Sequence, residues 1–544
     1  MNANPKRTSV LPLLLTAALL IALGACSHWR HVSSQESAVP EGEAGGAKEA
    51  GAGKAGGLTY WAELNSNASS VKPRFQDVPF FQEWQRRTGV SLTFIQPPAY
   101  QATETLDVLL ASGDLPDMIE YEWDKFPGGP DKAIADGYIL RLNDVIEKYA
   151  PNLRKYLNEH PDIDKQVKTG DGSYYVFPFI RGDERLLTYQ GPIVRKDWLD
   201  ELGLPVPETI DDWHTMLTAF KERKGVRAPL TFLGMPDPLS GLNGGAFIGA
   251  FGVENDFYLD DGRVKYGPLE PGYKDFLALF RQWYAEGLID PNIATVDTTT
   301  MDASMISGRS GASVWNAGSG IGNWQALGRK TDPDAQYAPA PYPVLRKGER
   351  PKFGQRSFAY VGTGGVAISA KSPNVEAAAR LLDYGYGPEG HMLFNFGVEG
   401  QSYVMKNGYP AYTGLIMNNP EQLAPTQALA MYARANYFGP FVQDVRYMEQ
   451  YFNLPEQQKA IGLWSDTDAA LHQLPQTPKT EEENSELSAI MQDVKPLVED
   501  VSLKIIFGVE PLSSWDDCLE EIRALGIARA ISIQEEALDR YRTH

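Results

Sequence analysis

Cysteine is nearly absent: only Cys26 and Cys518 occur in 544 residues. Two thiols cannot build a disulfide framework, and a chain of this length can be held by its apolar core instead. Histidine is scarce too, and His28, His31, His160, His214, His391, His472 and His544 form no metal-ligand pattern. No D-x-[DN]-x-[DN]-G calcium loop occurs, and Asp171-Gly172-Ser173 reads as a turn. HExxH, GxSxG, CxxC and Walker A motifs are missing. Gly318, Gly320 and Gly322 give GxGxG without the strand-turn-helix setting of a dinucleotide site. No metal, cofactor or catalytic residue is therefore expected. The 50 basic residues, against 70 acidic ones and a net charge of -20, form no basic stripe, which excludes nucleic acid as a partner. No period of 20 to 50 residues recurs, which excludes a solenoid.

One extended apolar run is present, Val10 to Leu23, preceded by Lys6 and Arg7 and followed by Leu23-Gly24-Ala25-Cys26. It is shorter than the ~20 residues a spanning helix needs, and its flanks are those of a secretory signal. Leu, two small residues and Cys resemble the bacterial lipobox, which implies a signal peptide over 1–25, lipid on the Cys26 thiol and a place on the outer face of the cell membrane. Residues 26–57, rich in Gly, Ala, Glu and Ser, read as a flexible tether that cannot bury enough surface to fold. Cys518 reads as a small core residue on a helix.

The folded part begins near Leu58. LTYWAELN reads as a strand, FQEWQRRTGV as a helix stopped by Gly89, and ETLDVLLASGDLPDMIEYEW as a helix stopped by Gly113 and then an apolar strand. This βαβα alternation predicts a parallel sheet and an α/β fold. Thr209 with Asp212 predicts a capping box, Asp261-Gly262 a hairpin turn, and Ser372 with Pro373 a helix start. From about Ala424 onward the chain reads as largely helical.

In order, FQEWQRRTGV, LLASGDLPDMIE, ADGYILRLNDVIEKYAPN, VRKDWLDELGLPVPETIDDW, YAEGLIDPN, AAARLLDYGYGPEGHMLFNFGVEGQSY and PLSSWDDCLEEIRALGIARAISIQEEALDRY resemble the family 1 extracellular solute-binding proteins. The similarity is greatest to the large lipoprotein type found beside carbohydrate importers. The resemblance implies a type II periplasmic-binding-protein-like fold, two α/β lobes joined by a hinge that the chain crosses several times. By comparison with maltodextrin-binding proteins, the crossings are expected near Pro178 to Asp183, Tyr360 to Gly364, and Ser402 to Ala424. That gives one lobe over 58–180 plus 362–410 and another over 181–361 plus 411–544. The implied partners are a carbohydrate, the transmembrane subunits of an ABC permease and the lipid anchor, with the chain itself a monomer.

A sugar offers an apolar CH face and a rim of hydroxyls, so its site needs flat aromatics beside planar polar groups. Three strand ends pair these types: Trp61, Glu63 and Asn65; Glu120, Tyr121, Trp123 and Asp124; and Trp315 with Asn316. Further candidates are Arg181 and Asp183 at the first crossing, Tyr360 at the second, and Glu399 with Tyr403 in GVEGQSY. The expected function is capture of an oligosaccharide for an importer. The competing readings are a peptide or small-solute binding protein, and an extracellular glycoside hydrolase with two carboxylates facing a cleft.

Overall fold

Strands Leu58–Trp61, Leu92–Ile95 and Met118–Tyr121 form where the βαβ pattern predicts them, all parallel, with Leu58–Trp61 in the middle. The computed structural model describes residues 57–98, 101–234, 239, 245–362, 364–477 and 479–543. The expected signal peptide, Cys26 and all of the expected tether but Gly57 lie outside these residues. A fourth strand, Gly365–Ile368, returns antiparallel beside Met118–Tyr121. Helix Pro79–Thr88 has proline in its first turn and ends at Gly89 with φ 68°, a left-handed cap that glycine adopts without strain. Helix Ala102–Ser112 ends the same way at Gly113. Phe80, Phe81 and Trp84 seat the first of these helices on the sheet, meeting Tyr60 and Phe94 in one buried cluster.

Asp117 ties the sheet to the helix that comes after its fourth strand. It accepts hydrogen bonds from Thr59 N (2.8 Å), Ser372 Oγ (2.6 Å) and Asn374 Nδ2 (3.2 Å). Burial opposes its charge, but these donors prevail and hold its pKa below the usual carboxylate value. Ser372 is therefore not the helix cap expected of it. Its hydroxyl donates to Asp117 and accepts from Asn374 N at 3.1 Å, while the helix itself starts two residues beyond Pro373, at Val375, with Asn374 as its N-cap residue.

A second buried cluster surrounds strand Gln190–Arg195, which lies between Ala312–Asn316 and Tyr337–Pro339, antiparallel to both. Helix Ile210–Arg223 carries the predicted capping box at Thr209 and Asp212. Strands Phe257–Asp260 and Arg263–Tyr266 meet at Asp261 (φ 48°) and Gly262 (φ 75°), the two left-handed residues of a tight hairpin turn. Cys518 is buried on helix Ser514–Ala524, as expected of a core thiol.

Between the clusters, Ile180–Arg181 pairs with Val442–Gln443, and Arg181 N donates to Ala359 O at 2.8 Å. Three strands of chain thus run side by side at the hinge. The third lies later than the expected Ser402 to Ala424. Ala430, Met431, Tyr437, Phe441 and Val442 belong to the first cluster, and Met448 is the first residue after them in the second. Phe441 holds this stretch to the first lobe by packing on Phe394 and Phe179, each with ring centroids 5.2 Å away. Residues 430–442 thus pack with the first cluster, whereas Tyr412, Ile416, Ala428 and Leu429 belong to a small cluster of their own.

Candidate ligand-binding site

The carboxyl ends of the parallel strands open on a groove of about 460 Å³, the place where open α/β sheets bind ligands. Its floor is an ion pair. Glu120, near the end of strand Met118–Tyr121, accepts from Arg434 Nη2 at 2.7 Å and from Nη1 at 3.3 Å, and the Tyr60 hydroxyl donates to the same carboxylate. Burial works against the Arg434 charge, yet Glu120 outweighs it and the guanidinium pKa is raised. The guanidinium also lies 4.7 Å from the centre of the Tyr437 ring.

Beside this floor stands Phe438, a large aromatic left 37 % exposed, braced edge-on against Phe179 at 5.5 Å. Gly364 makes room for it: a Cβ there would fall 2.0 Å from the Phe438 Cβ. The Tyr437 hydroxyl and Asn436 Oδ1 are buried with no hydrogen-bond partner among the described residues. Burial pushes the Tyr437 hydroxyl up to about 12, so it remains a donor. An exposed ring, a fixed ion pair and an unsatisfied hydroxyl supply what a sugar face and its rim require.

Four expected residues line this groove: Glu63, Asn65, Glu120 and Tyr121. Asn65 also caps the short helix Ser66–Ser69, accepting from Asn67 N at 3.0 Å, and Tyr121 shares a 3.3 Å hydrogen bond with Thr103. Trp61 and Trp123 do not reach it. Trp61 is 1 % exposed, in a strand paired on both sides, and Trp123 is folded inward by the turn Trp123–Lys125. They back the groove indirectly, each meeting the Tyr121 ring edge-on.

Asp124 and Tyr360 line a neighbouring cavity of about 810 Å³ whose far wall includes Thr477 and Lys479 of the second lobe. The Tyr360 hydroxyl donates to Tyr175 at 2.8 Å, and Tyr175 donates to Asp124 at 3.0 Å. Asp124 is itself exposed, but the surrounding walls desolvate it enough to raise its pKa. Burial pushes Lys479 down to about 8. Arg181 and Asp183 line a third cavity, about 640 Å³, at the hinge. Asp183 is occupied there, capping the turn Glu184–Leu186 and pairing with Arg185 at 3.0 Å.

Trp315 and Asn316 end strand Ala312–Asn316 in the second lobe, half-buried and outside these three cavities. Glu399 and Tyr403 lie outside these three cavities. Tyr403 packs with Phe396 and Tyr412 in a separate small cluster, and Glu399 is exposed on the turn bridged to it. Arg434, Tyr437 and Phe438 escaped the sequence reading. RANYFG pairs Arg and Asn with two aromatics, the same residue types sought elsewhere, but lies in a stretch that read as helical.

Two α/β lobes, a multi-stranded hinge and a groove at strand ends define a solute-binding protein with the type II periplasmic-binding-protein-like fold. The chain belongs to the bacterial extracellular solute-binding protein family, whose profile matches residues 68–392. It is 24 % identical over 503 residues to the fructooligosaccharide ABC transporter substrate-binding protein FusA of Streptococcus pneumoniae, covering 85 % of this chain and 87 % of that one. It is 26 % identical over 366 residues to lipoprotein LipO of Bacillus subtilis, covering 65 % and 69 %. Among solved structures, the alginate-binding protein AlgQ2 without calcium superposes with a TM-score of 0.70 at 24 % identity, covering 89 % of this chain and 97 % of that one. FusA in complex with kestose gives 0.69 at 22 %, covering 90 % and 100 %. Among the described residues no group of three or more His, Cys, Asp or Glu side chains is placed to hold a metal ion.

Proposed function

We propose that this chain is the substrate-binding lipoprotein of an ABC importer, capturing a carbohydrate between its lobes and passing it unchanged to a membrane permease. The observation that carries the reading is Phe438, an exposed ring beside the Glu120–Arg434 pair at the carboxyl ends of parallel strands. Relatives named for fructooligosaccharide and polygalacturonan binding support the carbohydrate class. In this reading Phe438 stacks on a sugar face while Glu63, Asn65, Glu120, Tyr121 and Tyr437 bond hydroxyls. Asp124 and Tyr360 serve a further sugar unit in the adjoining cavity. Arg181 acts at the hinge, and Trp315 and Asn316 act from the second lobe, where Trp315 Nε1 and Asn316 Oδ1 are buried without partners among the described residues. Cys26 carries the lipid that holds the monomer at the outer face of the membrane.

A thermal-shift screen of the purified chain against a glycan panel tests this. A ligand that binds only the folded state stabilises it by about 2.7 kcal/mol at a hundred times its dissociation constant. A glycan that raises Tm in the native chain and fails to do so in Phe438→Ala supports the reading. A panel that leaves Tm unmoved, or peptides that raise it where glycans do not, contradicts it.

A further inference from the structure

Relatives named for a neutral sugar polymer and for an acidic one both occur, so family membership leaves the charge of the ligand open. The groove's own charges bear on it. Its lining includes four carboxylates, Glu63, Glu104, Glu120 and Glu122, and two cations, Lys125 and Arg434. Both cations are engaged: Arg434 with Glu120 at 2.7 Å, and Lys125 with Glu122. Among the described lining residues, then, no cation of the groove stands without a carboxylate of its own.

Glu104 is exposed in the first turn of helix Ala102–Ser112, where the helix N-terminus favours a negative charge without any cation. The adjoining cavity has the same bias, with four carboxylates to three lysines, and Lys132 and Lys168 are paired to Asp136 and Asp164. Its remaining lysine, Lys479, donates to Thr477 O at 3.1 Å.

We propose that the groove selects uncharged glycans and rejects uronic-acid oligomers, so that the ligand is a neutral oligosaccharide. Carboxylates are acceptors, and neutral sugar hydroxyls are donors that meet them without adding charge. A uronate unit in the same place would shed water, would have to compete with Glu122 for Lys125 and with Glu120 for the buried Arg434, and would face the carboxylate of Glu104. Both effects oppose binding. Specific sites use repulsive elements as well as attractive ones. The inference rests on the carbohydrate reading of the groove and narrows it to one class.

Isothermal titration calorimetry of the purified full chain tests it, using neutral trisaccharides such as kestose and maltotriose beside tri-uronides such as trigalacturonate, at low and at physiological salt. At least one neutral sugar is expected to bind, and each uronide at least ~10-fold more weakly, with a gap that narrows as salt screens the repulsion. Glu104→Gln is expected to narrow the neutral-to-acidic ratio of affinities. A uronide that binds as tightly as the neutral sugars, a gap that widens with salt, or a ratio unmoved by Glu104→Gln overturns the inference while leaving a carbohydrate site in place. Binding by neither set contradicts the carbohydrate reading, and the inference falls with it.

Discussion

Glu120 and Arg434 are 314 positions apart in sequence and 2.7 Å apart in the fold, buried together under the groove. Glu120→Gln leaves the guanidinium buried without its counter-charge, and removing one partner of a buried pair costs about 3–5 kcal/mol. Urea unfolding followed by circular dichroism should show a loss of that order. The double variant Glu120→Leu with Arg434→Met should recover most of the loss while still failing to bind sugar. A double variant that binds normally would show the pair to be structural alone.

Phe438→Ala should act on both folding and binding. The ring is 37 % exposed and otherwise packed, so its removal should cost some folding stability, but less than loss of a fully buried ring. Ligand affinity should fall by about 1.5–3 kcal/mol if the sugar completes the burial of the ring. Calorimetry beside denaturant unfolding separates the two effects, and an unchanged affinity would remove Phe438 from the site.

Trp61→Ala and Trp123→Ala should act on the fold. Truncating a fully buried tryptophan costs about 3–5 kcal/mol, and both indoles are enclosed in the first lobe's core. Chemical denaturation should show that loss. Weakened sugar binding at full stability would place these rings back at the ligand.

Acid should loosen the hinge through Asp444. Burial raises its pKa, but His391 at 2.9 Å and the paired Arg446 guanidinium more than reverse this and hold it well below the usual aspartate range. A carboxylate whose pKa is depressed by folding contributes stability that is present above its unfolded value, about 3.9, and lost as pH falls through the lower folded value. Unfolding free energy should therefore fall as pH drops below about 4, and the fall should be shallower in Asp444→Asn. Identical acid profiles would contradict the assignment.

Anchoring is tested at Cys26. Cys26→Ser should release the chain from the membrane fraction, or leave an unprocessed precursor distinguishable by size. A variant that stays bound at mature length without lipid label would contradict the lipobox reading.

Much of the scaffold was legible because its signals are local. Gly89 and Gly113 end their helices by conformation, Thr209 and Asp212 cap within one turn, and Asp261-Gly262 closes a hairpin from adjacent residues. The site was less legible because its residues come together through the tertiary fold. Glu63, Asn65, Glu120 and Tyr121 lie at or just past the ends of apolar strands, and periodicity located those strands. Trp61 and Trp123 sit within a residue or two of them, and sequence alone does not tell a ring facing the core from one facing the cleft. Arg434 and Phe438 were hidden for another reason. They come after the helix Pro425–Tyr432 without any strand pattern, and tertiary contacts, Phe441 against Phe179 and Phe394 among them, carry them to the carboxyl ends of the strands.

On the proposed reading, the chain holds a sugar in this groove and releases it unchanged. Equilibrium dialysis of the purified chain against a labelled neutral oligosaccharide, with chromatography of the bound fraction, tests it most directly. Saturable binding, recovery of the sugar at its original length, and loss of binding in Phe438→Ala combined with Glu120→Gln are predicted. Absence of saturable binding across neutral oligosaccharides, or recovery of shortened sugar, would contradict the account.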